Sequence, residues 1–231
     1  MEPCPISIST YLSPLSVAMK KIAFSENAEP MSRYMQHKFP FLGIKSPERK
    51  EVLRQFLKDA GLPIDYRTVV REMWDLPERE WQYNAIAIGA MCKKQWHEND
   101  WELFEYCILN KSWWDTIDAI STEWVAAFFD LYPHQKQVVM ERWLASENLW
   151  LRRTVIVFQR KKKEKTDVEL LIRSIVTNLD SKDFFIQKGI GWALRSYAAV
   201  NPAFVADFVA SNPLKPLSKR EALKGVNRTK K

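Results

Sequence analysis

In the stretch KSWWDTID, Lys111–Asp118, two tryptophans stand side by side and two carboxylates follow. Adjacent residues on an α-helix point about 100° apart, so the two rings cannot share a face. Trp113 aligns with Ile117, Ile120 and Trp124 at three- and four-residue spacing, an apolar stripe suited to a core. Trp114 aligns instead with Asp118 and Ser121, which puts a large ring one turn from a carboxylate. Such a carboxylate can stabilise a developing positive charge, or orient and deprotonate a water. A π-face beside it can hold a cation. The competing reading is structural: Trp114 packs on an adjacent helix pair, and Asp118 pairs with an arginine from the next one. Ser112 is placed to cap this helix at its start.

Two other stretches carry charge of the opposite sign. Arg152 and Arg153 follow Trp150, and Lys188, Trp192 and Arg195 fall at i, i+4 and i+7, one helical face with two cations around a ring. Cations for phosphates, interleaved with rings for bases or sugars, are what a nucleic-acid surface needs. The run Arg160-Lys-Lys-Lys-Glu-Lys165 reads as a solvated helix end or loop, with a DNA contact as the other reading. The segment from Ser218, SKREALKGVNRTKK, is strongly basic around a single acid. It reads either as a phosphate-contacting helix with a frayed end or as a frayed end alone.

The elements that must position these residues are helical. Apolar residues recur at helical spacing, interrupted at Pro40, Pro47, Gly61-Leu-Pro63, Pro77, Pro133, Asn201-Pro202 and Asn212-Pro213, and no segment alternates like a strand. Four segments share a polar opening followed by an aromatic and a helical run: DLPEREWQYNAI, LNKSWWDTIDAI, ASENLWLRRTVI and DSKDFFIQKGIG. Their aromatics, Trp81, Trp114, Trp150 and Phe185, recur at about the length of one two-helix unit of an α-solenoid. The expectation is an all-α fold, a superhelix of stacked HEAT-like helix pairs with a basic concave groove. A plain helical bundle, with hairpins of similar length, is the alternative. We expect one domain over residues 1–231, with 225–231 a basic flexible tail.

Composition narrows the function classes. The 231 residues include 10 tryptophans, only 6 glycines and a net charge of +7, which favours helix and a polyanionic partner. Cys4, Cys92 and Cys107 form no CxxC pair, and His37, His97 and His134 are scattered. No metal site or disulfide framework is therefore expected, in keeping with a reducing cytoplasm. The opening MEPCPISISTYLSPL lacks a basic n-region and a long apolar run, so no signal peptide is expected, and no stretch is long enough for a membrane span.

Long stretches of this sequence resemble the AlkD family of bacterial DNA glycosylases. They are AEPMSRYMQHKFPFLGIKSPERK, REMWDLPERE, KSWWDTIDAI, ENLWLRR, FFIQKGIGWALRSYA and PLSKREALK, in order over residues 25–225. The first 25 residues match less well. The resemblance implies stacked helical repeats around duplex DNA, and hydrolysis of the N-glycosidic bond of cationic lesions such as 3-methyladenine and 7-methylguanine. It assigns Asp118 as the catalytic carboxylate, Trp114 and Trp192 as active-site tryptophans, Arg153 as the arginine beside them and Tyr34 as a residue near the lesion strand. Arg153, Lys188 and Arg195 are expected at phosphates around the lesion, and Ser46, Arg49, Lys219 and Arg220 at other DNA contacts. The resemblance also implies recognition of the lesion without extrusion of the base into a protein pocket. No lysine stands at the matched catalytic positions, so no strand-cleaving activity is expected, and the expected enzyme acts as a monomer without metal or cofactor. A helical scaffold that binds nucleic acid or protein without catalysis is the alternative.

Overall fold

A computed structural model describes residues 9–228, and the chain divides into two compact units, Met1–His97 and Glu98–Lys231. Every regular element among the described residues is helical. The expectations placed on the first eight residues, including Cys4 and the opening of the N-terminal stretch, lie outside them, as do residues 229–231.

The first unit holds α1 (Ser13–Lys21), α2 (Ser25–Tyr34), α3 (Ser46–Ala60), α4 (Tyr66–Asp75) and α5 (Arg79–Met91). Apolar residues at helical spacing on α4, namely Val69, Val70, Met73 and Trp74, are buried, as are Trp81, Ala85 and Ile88 on α5. The Gln82 side-chain amide closes the end of α4 by donating to the Met73, Trp74 and Leu76 carbonyls at 2.9–3.2 Å. Glu80 is fully buried, and its carboxylate accepts the Leu42, Gly43 and Ile44 amides at 2.9–3.1 Å. Burial raises the Glu80 pKa and these amides lower it, with a net rise. Gly43 sits at φ +81°, and a Cβ there would lie 2.0 Å from the Phe24 carbonyl oxygen, so only glycine fits. Within the DLPERE stretch, Leu76 and Glu80 thus take part in holding the first unit together.

The second unit runs α6 (Trp101–Leu109), α7 (Trp114–Ala119), a π-helical turn (Ile120–Val125), α8 (Ala126–Leu131), α9 (Lys136–Leu144), α10 (Leu149–Val157), two short 3₁₀ turns (Phe158–Lys161 and Lys163–Lys165), α11 (Val168–Val176), α12 (Phe184–Tyr197), α13 (Pro202–Ser211) and α14 (Pro216–Arg228). Ile156, Leu171, Ile175, Ile186, Ile190, Leu194 and Val205 form the core beneath its later helices. Two of the polar openings act as N-caps. Asn148 accepts the Trp150 and Leu151 amides, and Asp183 accepts the Ile186 amide. Residues 225–228, expected in a loose tail, instead continue α14, with Gly225 and Val226 buried.

The helix beginning at KSWWDTID departs from expectation at its start. Ser112 does not cap it; its hydroxyl donates to the Ile108 carbonyl and so finishes α6. Trp113 occupies the N-cap position in extended conformation, without a side-chain cap. Its ring remains in the core, T-shaped against Trp150 at 5.8 Å and against Phe185 at 5.0 Å. Trp150 and Phe185 are themselves 5.0 Å apart. The ring of α7 that stacks with these repeated aromatics is therefore Trp113, one position before the expected Trp114.

Candidate active site

Asp118 follows Trp114 by one turn on α7, and both are partly exposed. Its carboxylate is gripped by Arg153 of α10, with Nε to Oδ1 and Nη2 to Oδ2 both at 2.9 Å. The arginine side chain is 1% exposed and the aspartate 15%, so the cation is sunk in protein while the aspartate side chain keeps a small exposed part. The third donor group of Arg153, Nη1, donates to the Phe185 carbonyl on α12. One turn on, Gly189 makes the seat: a Cβ there would lie 3.1 Å from Nη1. A buried hydroxyl pair, Ser121 to Thr154 at 3.2 Å, ties the π-helical turn to α10 beside this ion pair. Ser121, expected on the same open stripe as Asp118, is fully buried, because α10 packs over it, and its hydroxyl donates to the Ile117 carbonyl.

Arg153 also lies 5.6 Å from the ring centroid of Trp192, which links the carboxylate to the third helix of the site. Three further cations surround that ring: Arg160 at 4.6 Å, Lys188 at 5.8 Å and Arg195 at 5.9 Å. A tryptophan face stabilises a nearby cation by roughly 0.5–2 kcal/mol, more as water is excluded. Arg160 does not belong to a solvated basic run, as its sequence neighbours suggest. The 3₁₀ turn at Phe158–Lys161 carries it inward instead, and its Nε is buried without a hydrogen-bond partner among the described residues. Burial lowers the Arg160 pKa, Asp118 raises it, and Arg153 and Arg195 lower it further. Its neighbours in the run are also engaged: Lys161 pairs with Glu123, and Lys162 with Asp130 and the Ala126 carbonyl.

The acid in the basic C-terminal segment completes the cluster. Glu221 on α14 has a side chain 3% exposed, and it accepts from Lys188 and Arg195 at 3.1 Å and from Lys224 at 2.7 Å. The Lys224 hydrogen bond, ahead of burial and of the Lys188 bond, sets the balance that lowers its pKa. Sequence reasoning missed Glu221 as it missed Arg160. The available signal was Ser218, Glu221, Ala222 and Gly225, a small and polar stripe at helical spacing inside a run that otherwise reads as charge.

The remaining candidates lie on α14 and on elements of the first unit. Lys219 and Arg220 are exposed at the start of α14. In the first unit, Ser46 is exposed as the first residue of α3, while Arg49 is 7% exposed and donates to the Asn84 side chain. Tyr34 ends α2 at 70% exposure and lines, with Met31, Phe41 and Tyr83, an open cavity of about 320 Å³. Arg153, expected at a phosphate, is 1% exposed and donates from Nε and Nη2 to Asp118 and from Nη1 to the Phe185 carbonyl. That is the structural alternative for the aspartate, an arginine from the next helix pair. Among the described residues no group of His, Cys, Asp and Glu could hold a metal, and no helix is long and apolar enough to cross a membrane. Cys92 and Cys107 are buried, and burial pushes the Cys92 thiol up to about 11.

An all-helical protein that rings a tryptophan with cations, beside a carboxylate held by a buried arginine, has the chemistry of a site for a polyanion. A family model for DNA alkylation repair enzymes matches residues 15–226, and the chain belongs to that family. It is also similar to the solved structure of a "Predicted DNA alkylation repair enzyme from Enterococcus faecalis", at 33% identity and a TM-score of 0.80, over 86% of this chain and 94% of that one. No protein of curated function matches it. Family membership places the chain in DNA alkylation repair, with DNA as its partner.

Proposed function

We propose that the chain is a DNA glycosylase that hydrolyses the N-glycosidic bond of cationic alkylated purines, 3-methyladenine and 7-methylguanine, in duplex DNA. The observation that carries this reading is the Asp118 carboxylate, 15% exposed and fixed by an Arg153 that also lies against Trp192 and its cations. Alkylation at N3 or N7 makes the base a good leaving group, so no strong acid is required to expel it. The sugar left behind is oxocarbenium-like. A carboxylate held in place before that charge develops stabilises it without reorganising. Arg153 sets its orientation, and the exposed part of the aspartate is available to position the attacking water. Trp114 and Trp192 offer π-faces to the lesion and the sugar, while Lys188, Arg195 and Arg160 supply charge for the flanking phosphates. The stacked helix openings of the second unit support a HEAT-like solenoid. The reading includes a monofunctional enzyme, acting as a monomer without a base-flipping pocket.

A second reading is favoured by one observation: both Asp118 oxygens already bind Arg153, as in a structural ion pair of a non-catalytic DNA-binding protein. Incubating the protein with methylated duplex and measuring free 3-methyladenine and 7-methylguanine separates the two. On the glycosylase reading, release exceeds the spontaneous rate and falls by about a hundredfold in Asp118→Asn. A folded wild type that binds DNA and releases no base establishes the second reading.

A further inference from the structure

We propose that Glu221 is a positioning residue, which fixes Lys188 and Arg195 around Trp192 to receive a phosphodiester of the bound strand. The proposal rests on the glycosylase reading for its catalytic consequence, and on the geometry of α12 and α14 for the rest. For simple electrostatics, an acid in the middle of a polyanion site is a liability, since it cancels a charge that would attract DNA. This one is not at the surface, where it would be harmless, but inserted beneath the two cations. It touches Lys188 Nζ through Oε1 and Arg195 Nη1 through Oε2, both at 3.1 Å. Those two side chains remain 28% and 30% exposed, and an ammonium with three donors and a guanidinium with five keep donors for an incoming phosphate.

The packing of the two helices is built around that insertion. On α12, a Cβ at Gly191 would lie 2.5 Å from the Glu221 Cβ. On α14, a Cβ at Gly225 would lie 2.6 Å from the Arg195 carbonyl oxygen. Ser218 adds a clasp, donating to the Gln187 carbonyl at 2.8 Å. Only with glycine at both points can the helices close far enough for one carboxylate to reach both cations. Long basic side chains otherwise lose rotamer freedom when they bind, so holding them beforehand removes an ordering cost from association. It also places the phosphate relative to the Trp192 ring, on which the lie of the reacting sugar depends.

The test compares wild type, Glu221→Gln, Lys188→Met and the Glu221→Gln/Lys188→Met double variant. The readouts are single-turnover release of 7-methylguanine from duplex, the salt dependence of binding to undamaged duplex, and the melting temperature. Although Glu221→Gln makes the site more positive, it should slow release about ten- to hundredfold. It should also make the salt dependence shallower, by roughly 0.9 in log–log slope for each phosphate that is no longer bound. In the Lys188→Met background the same change should cost release no more than about a third of that factor, because one of the two cations it serves is gone. Release at the wild-type rate together with a steeper salt slope overturns the proposal, as does an undiminished loss in the Lys188→Met background. If Glu221→Gln does not stay folded at the assay temperature, Glu221→Asp, which keeps the charge but shortens its reach to Lys188 and Arg195, takes its place. Slower release with a shallower salt slope then supports positioning, and release at the wild-type rate with an unchanged or steeper slope overturns it. If wild type binds duplex but releases no base, the glycosylase reading fails by itself. Positioning is then decided by the salt slope, which an unchanged or steeper value in Glu221→Gln overturns.

Discussion

Trp113 and Trp114 are neighbours in the chain with different surroundings. Helical spacing separates them in the sequence, but the helix starts at Trp114, and Trp113 reaches the core from the N-cap with extended backbone. Its ring lies edge-on to Trp150 and Phe185, pairs that contribute about 0.5–1.5 kcal/mol each beyond the area they bury. Trp113→Ala should therefore cost about 3–5 kcal/mol and lower the melting temperature by several degrees or more. Trp114→Ala should lower the melting temperature less than Trp113→Ala does and reduce release of methylated base more. Thermal melts and single-turnover assays on the two variants check this, and a reversed pattern would mean that the core ring is the other one. The type and spacing of Asp118 make it a candidate in the sequence. Its partner does not follow from them, since Arg152 and Arg153 are indistinguishable until the phase of α10 is known.

At the scale of elements, the site depends on how closely α12 meets α14. Gly191→Ala brings a methyl group within 2.5 Å of the Glu221 Cβ and 3.0 Å of the Ser218 carbonyl oxygen, so the helices must part. Overpacking of this kind costs roughly 1–3 kcal/mol, and the melting temperature should fall accordingly, with a parallel loss of base release. The same pairing predicts a pH dependence. Hydrogen bonding to Lys224, then Lys188, holds the Glu221 pKa below its ordinary 4.5 in the folded chain. A depressed carboxylate pKa contributes stability that is full at neutral pH and is lost as pH falls below about 4.5 through the folded value. The drop in melting temperature on acidification through that window should be smaller in Glu221→Gln than in wild type. Helix content was legible from periodicity and from the polar helix openings, in two of which the structure places the caps Asn148 and Asp183. The π-helical turn after Ala119 and the 3₁₀ turn after Val157 were not, because both change the angular phase without changing composition. The second of them brings Arg160 to Trp192.

For the whole molecule, the net charge of +7 states a partner class, and the pairing of the charges states which of them act. Lys219 and Arg220 are exposed, whereas Lys161 is matched by Glu123. Neutralising Lys219 and Arg220 together should reduce the log–log salt slope of duplex binding by about 1.8, at roughly 0.9 per phosphate bound. Neutralising Lys161 should leave that slope in place. Fluorescence anisotropy with undamaged duplex between about 50 and 200 mM salt measures both.

The sequence by itself determined that the chain is helical, that its charge suits a polyanion and that an aromatic and a carboxylate share one face of a short helix. These follow from local spacing and composition, which each residue carries with it. Tertiary structure alone decided that Asp118 is held by Arg153, that Arg160 leaves a basic run to lie against Trp192, and that a lone acid near the C-terminus sits beneath two cations. Each of those pairings joins residues more than 25 positions apart through helix phase and close approach. A charge pattern along the chain contains neither. The acid at Glu221 reads as an exception in a basic tail until Gly191 and Gly225 bring the two helices together around it.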